Sequence, residues 1–77
     1  MFHTQTTFKY YVNLRERNSG REIWIDTDAI AAFLEKWRDG EFYSTEIYLR
    51  DVDPYLVEVK ESGKEILKRM KKLIENE

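Results

Sequence analysis

The chain is 77 residues with no cysteine and a net charge of -2. That length supports one small core, and the missing cysteine excludes disulfide staples, thiolate metal sites and thiol nucleophiles. Thirteen bases against fifteen acids exclude both a strongly basic nucleic-acid footprint and a wholly acidic mimic.

Residues 6–16 alternate, with Phe8, Tyr10, Val12 and Leu14 on one side and Lys9, Tyr11, Asn13 and Arg15 on the other. Period two with aromatic and β-branched residues predicts a half-buried strand. Asn18, Ser19 and Gly20 supply a turn, and residues 21–25 return as a second strand with Ile23 and Ile25 opposite Trp24. Asp26, Thr27 and Asp28 suit a helix start, because a side-chain oxygen there accepts from free backbone N–H groups. Ile30, Phe33, Leu34 and Trp37 then follow at helical spacing, so a helix is expected over 28–39 with Gly40 ending it. The alternative for the same residues is a strand ending in an Asp39-Gly40 hairpin turn.

Residues 45–50 alternate again, and Pro54 in the segment 51–54 breaks the run. Residues 55–60 form a further strand, with Tyr55, Val57 and Val59 opposite Leu56, Glu58 and Lys60. From Ser62 the S-x-x-E pattern with Glu65 marks a capping box. Ile66, Leu67, Met70, Leu73 and Ile74 form the stripe of a helix over 62–76. The expected fold is α+β in the order ββαββα: a four-stranded, mainly antiparallel sheet with two helices on one face, in one domain over 1–77. If 28–39 is a strand, the expectation becomes a five-stranded meander closed like an SH3-type barrel, with one C-terminal helix.

Three stretches, IWIDTDAI at 23–30, TEIYLRD at 45–51 and YLVEVKESGKEI at 55–66, resemble the FlbD/SwrD-like small proteins linked to flagellar and swarming motility. The matching residues are Ile23, Ile25, Asp28, Ile30, Thr45, Ile47, Leu49, Val59, Lys60, Glu61, Ser62, Glu65 and Ile66, and the likeness covers residues 22–70. Asp26 stands where that pattern prefers Asn, and the stretch from Ile30 to Thr45 is longer than the pattern. The resemblance implies a bacterial or phage accessory protein.

Catalytic chemistry finds little to work with. His3 is the sole histidine and is expected in an N-terminal arm without ligand partners. Ser19 belongs to a turn and Ser62 to a helix cap, and no G-x-S-x-G elbow exists. The pairs Asp26/Asp28 and Asp51/Asp53 are explained by capping and turn chemistry rather than by a metal or acid–base role. No metal or other cofactor is expected. The N-terminal sequence does not read as a signal peptide, no apolar run reaches bilayer length, and a cytoplasmic place is expected.

What remains is surface. With the core residues facing the helices, Tyr11, Trp24, Tyr48 and Leu56 face the other way, and Trp37 is a lesser member of the set. Exposed aromatics grouped together mark a partner or dimer surface. The function expected is a non-enzymatic protein-interaction module binding another protein or its own copy as a homodimer. One alternative is a phage or mobile-element inhibitor of a bacterial defence complex (anti-CRISPR type) acting by protein binding. The other is weak nucleic-acid binding through Arg15, Arg17, Arg21, Lys68, Lys71 and Lys72.

Overall fold

A computed structural model describes residues 10–75 of the chain. It is a small α+β structure of five strands, a short 3-10 turn and one C-terminal helix. The strands are β1 (Tyr11–Arg15), β2 (Glu22–Asp26), β3 (Ile30–Arg38), β4 (Glu41–Leu49) and β5 (Leu56–Val59), and the helix is α1 (Gly63–Glu75). They form two antiparallel sheets, β1–β2 and β3–β4–β5.

The expected helix over 28–39 is therefore corrected, and with it the ββαββα order and the four-stranded sheet. Asp26, Thr27 and Asp28 do start a helical turn: Asp28 N–H donates to the Asp26 carboxylate at 2.9 Å. The turn lasts only three residues, Thr27–Ala29, before β3 begins. Asp39 and Gly40 then take positive φ values of 51° and 78°, which the reversal between β3 and β4 requires. Eight residues of β3 pair with β4 around this turn, from Ile30↔Leu49 to Arg38↔Glu41, with irregularities after Ile30 and Lys36. The irregularity after Ile30 breaks strict alternation and lets Phe33, three residues on, return to the core, while Leu34 and Trp37 stay exposed. Five strands and one C-terminal helix match the alternative expectation in element order.

The two sheets meet at one corner. Glu16 bridges to Val59, Arg17 N–H donates to Glu58 C=O at 2.8 Å, and Lys60 N–H donates to Arg15 C=O at 2.9 Å. The core lies between them: Val12, Leu14, Ile25, Ile30, Ile47, Val59 and Ile66 are buried. Full burial of each such side chain stabilises by roughly 1.5–3 kcal/mol. Met70 and Leu73 of α1 pack on this cluster, but Leu67 and Ile74 of the expected stripe do not: they stand 56% and 61% exposed. A helix crossing a sheet this narrow covers only part of its apolar arc.

Two acceptors fix the start of α1. Ser62 Oγ accepts from Glu65 N–H at 3.1 Å, as the capping pattern predicts. Glu35, on β3, accepts from Gly63 N–H at 2.7 Å. The Glu65 carboxylate pairs forward with Arg69 at 2.9 Å. Arg69 also reaches across to β1, donating to Asn13 C=O at 2.7 Å, while Glu61 accepts from Arg15 N–H at 3.0 Å. Side chains thus occupy the edge of β1 where a further strand would pair.

Candidate functional site

The predicted aromatic face is divided by the two sheets. Tyr11 and Trp24 share the β1–β2 ladder and are 49% and 61% exposed. Asn13, opposite Trp24, holds the indole: with its amide oriented to suit its neighbours, it accepts from Trp24 Nε1 at 3.3 Å and donates to Glu22 at 3.2 Å. Tyr48 and Leu56 oppose each other across β4 and β5 and are half-buried. Among the described residues no ring contact joins the two pairs. Trp37 lies apart at the β3–β4 hairpin, edge-on to Phe42 with ring centroids 5.8 Å apart.

Tyr48 belongs instead to a polar network on the outer face of the three-stranded sheet. Its hydroxyl donates to Glu46 at 3.0 Å. The register sets Glu46 directly opposite Glu58. Lys36 relieves that repulsion, reaching Glu46 at 3.4 Å and Glu58 at 3.5 Å. The Ser44 hydroxyl donates to Glu58 at 2.5 Å. That bond, helped by Lys36 and Arg17, holds the Glu58 carboxyl below its ordinary value against the opposing cost of burial. Lys36 is raised in turn, chiefly by its bond to Glu46, and so is Tyr48.

The predicted nucleic-acid set is dispersed as well. Arg15 and Lys72 line a cleft of about 450 Å³ between β1 and α1, together with Arg69 and Glu61. Arg21 is exposed at the start of the β2 return, and Lys68 and Lys71 lie on the exposed side of α1. Arg17 is elsewhere, stacked 4.4 Å from the Tyr43 ring centroid, with Arg38 stacked 3.7 Å from the same ring. Tyr43 has no partner readable in the sequence, because its two guanidiniums come from the β1–β2 turn and the far end of β3.

A second concavity is where the geometry concentrates. β2 stands away from β4 and β5, and the gap is a groove of about 370 Å³. Its walls are Ile23 and Ile25 from β2, Leu49 from β4 and Val57 from β5. Trp24, Val52 and Pro54 complete the apolar lining. Among the described residues every charged member of the lining is acidic: Glu16, Asp26 and Asp53. Of the predicted residues, Trp24 alone contributes here. Val52 and Pro54 read in the sequence only as a strand break, and nothing in the periodicity marks the gap.

His3 lies outside the described residues. Ser19 accepts from Arg21 N–H at 3.1 Å within its turn, and Ser44 is buried against Glu58. Among the described residues no group of three or more His, Asp or Glu side chains is arranged to hold a metal ion, and no helix is long and apolar enough to cross a membrane. No protein-family model, curated protein or solved structure matches the chain, so the reading of the site rests on its own geometry.

Proposed function

We propose that the chain is a non-enzymatic protein-binding module whose receptor site is the groove between β2 and the β4–β5 pair. The observation that carries this is the combination of an apolar interior with acids at the rim: among the described residues the charged members of the lining are Glu16, Asp26 and Asp53. Such a site favours an apolar side chain flanked by lysine or arginine. Burial of the apolar group supplies affinity, and the rim charges supply orientation and on-rate. Trp24 is the aromatic member expected of a binding surface, and its indole is already oriented by Asn13. A partner then finds it pre-arranged and loses less entropy on docking. An accessory role of the FlbD/SwrD-like kind and an inhibitor of a defence complex are both compatible with this mode, since each acts by protein binding.

The test uses Trp24 as reporter. In a Trp37→Phe background Trp24 is the remaining tryptophan. Titration with a synthetic peptide of alternating lysine and leucine pairs is expected to shift its emission to the blue in a saturable, salt-sensitive way. Val52→Lys, which places a base at the groove, abolishes the response. An emission spectrum unmoved by millimolar peptide would reject the site.

A further inference from the structure

We infer that the occupant of the groove is the exposed side of α1 from a second copy of this chain. The inference rests on the reading of the groove as a receptor for apolar groups flanked by bases, and it names the partner. Leu67 and Ile74 are 56% and 61% exposed although both lie beside the stripe that docks α1 on the core. Seven residues apart, they stand nearly above one another on the helix, about 10 Å along its axis. Lys64, Lys68 and Lys71 are all exposed beside them on the same side of the helix. Among the described residues none of these three lysines is in a salt bridge; the ion pairs of α1 are made by Arg69.

The two surfaces are complementary in both respects that matter. One is apolar and concave with acids at its rim, and the other is apolar and convex with lysines beside it. The charge asymmetry of the sequence has the same sense: residues 26–61 carry ten acids and four bases, and residues 62–77 carry five bases and three acids. Asp53 is the rim acid on the exposed segment 51–54, free to meet an incoming lysine. Each contact joins unlike surfaces. Reciprocal exchange between two copies closes a dimer, and one-way docking extends a chain of copies. Rim charges facing water are screened by salt, so the assembly is expected to loosen as ionic strength rises.

The measurement is solution mass by light scattering and sedimentation across a concentration series, at low and at high salt. Wild type is expected to exceed the monomer mass at low salt and to fall toward it at high salt. Leu67→Ser removes an exposed apolar contact and is expected to weaken association by about tenfold or more. Asp53→Lys and Lys71→Glu, each alone, weaken it by about tenfold through a reversed rim pair, and both together in one chain restore it. A wild type that stays monomeric to millimolar concentration at low salt overturns the inference. So does association that the Leu67 and charge variants leave unchanged. The tryptophan titration separates the levels: a monomer whose Trp24 still responds to the lysine–leucine peptide keeps the groove as a receptor and loses only the second copy as its occupant.

Discussion

Lys36 sits between two carboxylates that the register of β4 and β5 forces together. The pH behaviour of the sheet follows from that placement. Glu58 is held below its ordinary value, so its contribution to stability is present above the usual carboxyl range of about 4.3 and is lost as pH falls through the lowered value. Lys36 is raised, so its contribution is present below the ordinary lysine range and is lost as pH rises through the raised value. Lys36→Met keeps most of the aliphatic stem but leaves Glu46 and Glu58 facing each other uncompensated. Repulsion between the two carboxylates then opposes the lowering that Lys36 gives Glu58. The variant is expected to be less stable than wild type at neutral pH and to regain stability on mild acidification, where wild type does not. Urea midpoints measured from pH 7 down to pH 4 check this; parallel curves for the two proteins would reject the role given to Lys36.

Among the elements, β3 is where sequence and structure part. Ala31, Ala32, Leu34, Glu35 and Lys36 are good helix formers, and the apolar spacing reinforces them. A lone segment would follow that preference. Here the eight-pair ladder with β4 and the burial of Ile30 outweigh it, and the Asp39-Gly40 turn commits the chain to reversal. The signal for the turn was present in the sequence as the competing reading, but local propensity does not weigh ladder pairing. Gly40 carries φ of 78°, and an added Cβ there would meet nothing within 4 Å. The cost of Gly40→Ala is therefore backbone strain alone, about 1 kcal/mol. A denaturation midpoint lowered by that amount, with unchanged spectra, is the expected result; no change would mean that the turn does not need the left-handed conformation. The other elements were legible, because alternation places Val12, Ile25, Ile47 and Val59 inward and the capping pattern marks the start of α1. The groove was not legible, since it arises from the distance between β2 and β4–β5 and from the loop 51–54. No periodic pattern encodes either.

At the scale of the molecule, α1 is tied on at few points. Ile66 is its one fully buried large side chain among the described residues, with Met70 and Leu73 partly buried behind it. Truncating it removes both transfer energy and packing, and Ile66→Ala is expected to cost about 2–5 kcal/mol. Against the roughly 0.05–0.15 kcal/mol per residue typical of folded domains, that is a large share of the whole stability. Amide exchange would show protection collapsing in β1 and β3 as well as in the helix; loss confined to α1 would mean that the sheets hold without it. Arg69 and Glu61 carry a consequence of a different kind. By bonding Asn13 C=O and Arg15 N–H, they stand where a neighbouring polypeptide would hydrogen-bond. A chain shortened before the helix would lose Arg69 from that edge and leave the Asn13 carbonyl open to pairing by a strand from another molecule. The helix thus guards a strand edge as well as closing the core.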